Sequence, residues 1–239
     1  MYLTQPISAA NRLLTTLPGN ERDQLLANCE SIQLIFDEVL YRAGDRIRYI
    51  YFPTGSFISL LAPINGAAGL EVGMIGNEGM LGITLLLGIE DAPFQASVQG
   101  AGPTLRIAAP LFLRKLELCP ILRKELNLYL YVSIKQLAQT ARCTKFHVLE
   151  ARLARWLLMA QDRAHSDRFH VTHVCLADML GVRRVGVTKA ANLLQTKKLI
   201  SYHRGDIIIL DRGGLEQLSC GCYRAGKEIY DSFLGSEKG

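Results

Sequence analysis

The sequence contains no proline or glycine between residues 121 and 180, and no lysine, arginine or histidine between residues 49 and 105. The first absence removes the two strongest helix breakers from sixty consecutive residues, so that stretch is expected to be helical. The second means that an anion lodged among residues 49–105 meets no cation, while Glu71, Glu78, Glu90 and Asp91 oppose it. No apolar run reaches the roughly 18–20 residues of a membrane span. The first twenty residues lack a basic segment followed by an apolar one, so no signal peptide is expected and the chain is placed in the cytoplasm. Catalytic signatures are missing too: there is no Ser-His-Asp arrangement, no H-E-x-x-H and no nucleophile elbow, and all five histidines lie at or after residue 147. No catalytic residue is assigned, and the chain is not expected to be an enzyme.

Cysteine is present without the spacing that metal chemistry usually shows. Cys29, Cys119, Cys143, Cys175, Cys220 and Cys222 are scattered, and only the last two are close. A zinc site calls for paired C-x2-4-C ligands with a matching second pair or histidines, and an iron–sulfur centre for a tight thiolate cluster. Most of the cysteines are therefore expected to be small buried hydrophobes, and no metal or cofactor is assigned; a metal site at Cys220 and Cys222 is the alternative, and their role stays open.

What the 239 residues do contain is ample apolar matter, 49% hydrophobic, with 27 basic and 22 acidic side chains for a net charge of +5. The charge is unevenly spread. Residues 1–119 hold 8 basic and 11 acidic groups, net −3, whereas the remainder holds 19 and 11, net +8. All eight prolines and twelve of the 21 glycines lie in residues 1–120. A turn-rich acidic part is thus joined to a helical basic part, and the basic part is the candidate for a nucleic-acid partner.

After a helical segment over residues 9–28, short β-type runs follow at about ten-residue spacing: 32–36, 39–41, 47–52, 57–61 and 70–75. Turns at residues 42–45, 53–55 and at Asn65-Gly66 separate them, Asn-Gly being the sharpest hairpin signal. This pattern predicts an antiparallel barrel or roll. Gly73, Gly76, Gly79 and Gly82 recur every third position, but they match neither phosphate-binding glycine motif and are read as turns.

A helix over 111–118 is expected to stop at Cys119-Pro120, and a long one to run from Ile121 to about His147. Leu126, Leu130, Ser133 and Leu137 follow 4-3-4 spacing, while Leu128 and Val132 are apolar elsewhere. A helix apolar on more than one face serves its own domain and a second helix, such as its symmetry mate; one wide buried face within a single domain is the alternative. A further helix over 148–164 puts Leu149, Leu153, Trp156, Leu157 and Ala160 on one face and Arg152, Arg155 and Arg163 on the other.

Residues 171–200 then read as helix, turn and basic helix. Val174, Leu176 and Leu180 are apolar before Gly181, which sits where a tight turn needs positive φ. Val187, Ala190, Ala191 and Leu194 point inward along the second helix. Arg183, Arg184, Val185, Thr188, Lys189 and Asn192 are left outward. Between residues 176 and 204 there are six basic side chains and one acid, Asp178. Arginines at a helix N-terminus oppose its macrodipole, so Arg183 and Arg184 are poor stabilisers there and make better sense facing phosphates or guanine edges. Two β-prone runs around Arg204-Gly205 form a wing, with His203 and Arg204 at its tip and Lys197 before it.

The run from Leu176 to Lys189 resembles the recognition signature of the Crp/Fnr superfamily of bacterial transcription regulators, and the resemblance extends over nearly the whole chain. It implies an α+β architecture: an antiparallel, cyclic-nucleotide-binding-like β-roll sensor (1–119), a dimerisation helix (120–147) and a winged helix-turn-helix domain (148–239). Arg184 takes the place of a base-reading arginine and Lys189 that of a later one, while Val185 replaces the family's glutamate. A carboxylate able to accept from cytosine N4 is lost thereby, so the operator should differ from the family's best-known half-site. The effector pocket falls by the same match on Gly79, Gly82, Ile83, Phe94, Gln95 and Ser97. Neither the ribose-binding glutamate nor the phosphate-binding arginine of the cyclic-nucleotide cassette is present, which argues against cyclic AMP. The resemblance implies a homodimer on double-stranded DNA, with RNA polymerase as a partner if it activates and an unidentified small effector if the roll still binds one. A regulatory module acting on a protein partner is the alternative, and it leaves the basic helix unexplained.

Overall fold

The computed structural model describes residues 11–64 and 67–234. The expected N-terminal helix is two pieces, α1 (Arg12–Thr15) and α2 (Gly19–Leu26), because Pro18 interrupts it and stands just before the second piece. Residues 9 and 10, the start of that expected helix, lie outside the described residues. Asn11 caps α1, and its amide donates to the carbonyls of Pro53 (2.9 Å) and Gly79 (2.8 Å), tying the segment to the domain that follows.

That domain is an antiparallel roll. Its strands are β1 (Glu30–Leu34), β2 (Val39–Tyr41), β3 (Tyr49–Pro53), β4 (Phe57–Ile64), β5 (Ala67–Ile75), β6 (Gln95–Gly100) and β7 (Gly102–Ala108), with a 3-10 turn at Ile83–Leu87. They form two sheets, ordered β1-β7-β3 and β2-β6-β4-β5. The five expected runs all appear, shifted by a few residues. β6 and β7 escaped notice because Gly100, Gly102 and Pro103 break their apolar pattern. β4 and β5 pair antiparallel, but the Asn65-Gly66 turn expected between them lies outside the described residues. Phe52, Ile58, Val98 and Ile107 fill the interior at 0–1% exposure.

Helix α3 (Ala109–Leu118) leads into α4 (Pro120–Phe146), whose Leu122, Leu126, Tyr129 and Val132 complete the same core. Leu126 is fully buried there, so it belongs to the chain's own core and cannot line a helix-to-helix seam. Leu130, Ser133 and Leu137 are half-buried, and Ile134 is 55% exposed.

The C-terminal part comprises α5 (Leu149–Ala164), β8 (Arg168–His170), α6 (His173–Leu180), α7 (Arg184–Thr196), β9 (Ile200–His203), β10 (Asp206–Ile209), α8 (Arg212–Leu218) and α9 (Cys222–Leu234). Its core joins Leu153, Trp156 and Leu157 to Val187, Ala190 and Leu194, and it also takes in Phe57, Leu61 and Met74 of the roll. Val174, expected among the apolar residues of α6, is exposed.

The polar face expected for α5 is not a solvent face. Arg152, Arg155 and Arg163 are all buried, and each has found a partner that sequence periodicity cannot foresee. Arg152 donates to the Leu180 carbonyl, Arg155 to the Thr140 hydroxyl (3.4 Å), and Arg163 pairs with Glu78 of the roll at 2.6 Å. Gly76 permits that last approach, since a Cβ there would stand 2.5 Å from the Arg163 Cγ. Trp156 donates from Nε1 to the buried Glu71 carboxylate at 3.1 and 3.2 Å, which also accepts from Ser59 at 2.5 Å. Burial pushes the Glu71 carboxyl above its usual range; hydrogen bonds from Ser59 and Trp156 oppose the shift without cancelling it.

Candidate nucleic-acid interface

Thr172 caps α6 by accepting from the Cys175 amide, and Gly181 ends the helix at φ 62°, ψ 43°, a left-handed conformation that glycine adopts without strain. Two residues later Arg183, extended at φ −72°, ψ 142°, starts α7. Val187, Ala190, Ala191 and Leu194 are buried, as their spacing predicts, and the small alanines let α7 lie close to its neighbours. Arg183, Arg184, Val185, Lys189 and Asn192 are exposed, Val185 at 61%. Thr188 is half-buried, its hydroxyl engaged with the Arg184 carbonyl and with His173 Nδ1, both at 3.1 Å. His173 in turn stacks on Tyr202 of β9, with centroids 4.2 Å apart, so one imidazole joins α6, α7 and the wing. Burial, and secondarily the Arg184 charge, hold this histidine below its ordinary pKa and so favour its neutral form.

The wing is three-stranded, ordered β8-β10-β9, one strand more than the expected hairpin. Its tip is a two-residue turn, Arg204-Gly205, with φ of 51° and 93°, the type I′ signature that matches strand twist. His203, Arg204 and Lys197 are exposed beside it. Among the described residues none of Arg183, Arg184, Lys189, Lys197, Lys198 and Arg204 has an acidic partner within 4.0 Å, and all six fall on one exposed helix and the turn beside it. These cations lie along α7, from Arg183 and Arg184 at its N-terminus through Lys189 to Lys197 and Lys198 just after its end, and continue to Arg204 in the wing turn.

Between the roll and α4 lies a cavity of about 180 Å³, small beside the roughly 300–1,000 Å³ of typical ligand pockets. Gly82, Ile83 and Phe94 line it, as expected, together with Tyr41, Met80 and Ser133. Gly79, Gln95 and Ser97 do not: Gly79 abuts the Tyr129 ring, and Ser97 accepts from Gln99 (3.4 Å) within the sheet. Among the described residues that line it, the one cation, Arg163, is already paired with Glu78.

One further constellation escaped the sequence reading. Cys143, His147, Cys220 and Cys222 converge with all four donor atoms within 4.8 Å of one another. The signals lay in the C-x3-H spacing at a helix end and in C-x-C, patterns that mean little until the chain brings them together across 77 residues.

A sequence model of the Crp-like helix-turn-helix domain matches residues 151–218. The chain carries a Crp-like helix-turn-helix domain. Among solved structures it is similar to FixK2 from Bradyrhizobium japonicum, at 13% identity and TM-score 0.65 over 80% of this chain and 98% of that one. It is also similar to a CRP/FNR-family transcriptional regulator from Thermus thermophilus, at 22% identity and TM-score 0.63 over 80% and 98%. A third is a putative crp/fnr-family regulator from Eubacterium rectale, at 17% and 0.64 over 86% and 96%. The fold of Crp/Fnr regulators therefore extends over most of the chain, roll and long helix included. A search among curated proteins finds no match. Within the Crp-like domain, α6 and α7 are the helix-turn-helix pair and β8–β10 the wing. No described helix is long and apolar enough to cross a membrane.

Proposed function

We propose that the chain is a cytoplasmic, homodimeric transcription regulator, and not an enzyme, that recognises a palindromic operator. The observation that carries this is the unpaired basic face of α7 and the wing turn. Arg184 and Val185 stand at the helix N-terminus, where side chains reach base edges, with Lys189 and Asn192 one and two turns further along. Arg183, Lys197, His203 and Arg204 flank that line and are assigned to phosphates. Thr188, its hydroxyl engaged internally, supports the helix and makes at most a methyl contact. Leu130, Ile134 and Leu137 form an i, i+4, i+7 stripe on α4 that a symmetry mate would cover. In such a dimer the two recognition helices address major grooves about 34 Å apart.

The sensor cavity is small and apolar, with no free cation among the described residues that line it, which suits an uncharged or weakly acidic effector and disfavours cyclic AMP. When the regulator activates, RNA polymerase is its protein partner. Genome-wide capture of bound DNA followed by footprinting tests the reading. The expected result is a palindrome with half-sites about one helical turn apart; binding without sequence preference, or no retained DNA, overturns it.

A further inference from the structure

The last turn of α4 carries Cys143, and His147, the extended residue that caps the helix (φ −114°, ψ 144°), folds back so that its amide donates to the Cys143 carbonyl. The chain returns to this point only after the wing and α8, where Cys220 and Cys222 straddle the exposed Gly221 at the start of α9. Cys143 Sγ lies 3.4 Å from Cys220 Sγ, and Cys222 Sγ lies 3.5 Å from His147 Nδ1. With metal–sulfur bonds of about 2.3 Å and metal–nitrogen bonds of about 2.0 Å, the edges of a tetrahedron around one zinc ion measure about 3.5–3.8 Å. Two of the six donor separations are already close to those edges, and all six lie within 4.8 Å, so small side-chain adjustments close the tetrahedron. The donors are too close together for a multi-iron cluster, whose four ligands are spread over two or more irons.

The surroundings fit a closed metal centre. Cys143, Cys220 and Cys222 are 2%, 8% and 1% exposed, and with Ala151 they make a small cluster apart from both main cores. An ordinary apolar cluster of that size has no need of three sulfurs facing an imidazole. Three thiolates, one neutral imidazole and a divalent ion sum to one negative charge, and cations are at hand to balance it. Arg142 reaches to 3.9 Å from Cys222 Sγ, and the Nε of the neighbouring Arg155 is buried without a partner.

We propose that Cys143, His147, Cys220 and Cys222 bind one zinc ion, or a comparable thiophilic divalent metal, in a four-coordinate Cys3His site. Four protein ligands leave no open position, so the site is structural or regulatory rather than catalytic. Binding replaces up to three thiol protons with metal–sulfur bonds and changes no oxidation state. Its position gives it a mechanical role: it ties the end of α4 to the start of α9 beside the α4–α5 connection, the joint on which the DNA-binding domain is carried. The inference does not depend on the reading of the DNA interface, since metal content is measured without DNA.

The test uses the full chain purified under reducing conditions from zinc-supplemented culture. Elemental analysis after desalting is expected to find one zinc per chain. Cobalt(II) loaded into apoprotein should give thiolate-to-metal charge transfer and the intense ligand-field bands of tetrahedral coordination. C143S, H147A, C220S and C222S should each lose the bound metal, while the C29S/C119S/C175S triple variant keeps it. Because wild-type stoichiometry needs no variant, a folding failure in one of them leaves the test intact. Absence of zinc from the reduced wild-type protein, octahedral cobalt spectra, or retention in the C143S and C222S variants overturns the proposal. So does a Cys143–Cys220 disulfide in protein that takes up no metal after reduction.

Discussion

Breaking the Glu78–Arg163 pair is the severest test of the way the roll and the DNA-binding domain meet. The two groups are 2.6 Å apart, and each side chain is 9% exposed, so solvent screens little of their interaction. Arg163 also donates to the Met159 carbonyl (3.1 Å), and Glu78 accepts from the Gly76 amide (3.3 Å), so both ends are held by their own elements. Replacing Arg163 with Met leaves a carboxylate buried without a counter-charge, a situation that costs about 3–5 kcal/mol, or roughly two to three and a half powers of ten in the unfolding equilibrium. Glu78→Gln strands the guanidinium instead and should cost about as much. The E78Q/R163M double variant buries neither charge and should recover most of the loss. Urea unfolding followed by circular dichroism, run as a double-mutant cycle, measures all four species. Single-variant losses below about 1 kcal/mol that simply add in the double variant would be the behaviour of a solvent-exposed pair, and would refute the docking of α5 against the roll.

Glu71 supplies a pH dependence with a definite sign. Burial raises its pKa in the folded protein, so above about pH 4.3 the native state retains a proton that the unfolded chain has released, and stability falls as pH rises until Glu71 ionises in the folded state too. Glu71→Gln should flatten that slope in unfolding experiments from pH 5 to 8; parallel pH profiles for the two proteins would refute the assignment. At the interface, Arg184→Ala should relax sequence preference by about 1–3 kcal/mol, whereas Lys197→Ala should weaken every sequence alike and reduce the salt slope by about one; equal effects of both on all sequences would place the recognition helix elsewhere. Ile134→Glu puts a charge on the exposed stripe of α4 and should yield monomers in sedimentation and weaken binding to a palindrome far more than to a half-site. An unchanged sedimentation coefficient would move the dimer seam off this helix.

How much of this was legible in the sequence differs from element to element. The helix-turn-helix was readable because its determinants are local: a glycine at a turn, small inward residues at helical spacing and a basic first turn all fall within about twenty-five residues. The roll was readable as alternating strands, but β6 and β7 were hidden because Gly100, Gly102 and Pro103 interrupt their apolar pattern. Periodicity misled where a polar residue is buried against a distant partner. Arg152, Arg155 and Arg163 occupy what the helical wheel presents as a solvent face, yet they are satisfied by a carbonyl, a hydroxyl and a carboxylate supplied from other elements. Leu126 failed for a related reason, since a 4-3 repeat does not distinguish packing on one's own domain from packing on a symmetry mate. The Cys143, His147, Cys220 and Cys222 cluster was beyond linear reading because its two halves are each too short to be a motif.

The chain has a single tryptophan, and it lies at the seam between the two cores, donating to a carboxylate of the opposite domain. Any movement that separates α5 from β5 exposes that indole to water and removes its acceptor at the same time. Its fluorescence is therefore a native gauge of domain docking, readable without a label: titrations with a metal, an operator fragment or a small effector can be followed at one residue, and the direction of the spectral shift tells whether the ligand closes the seam or opens it.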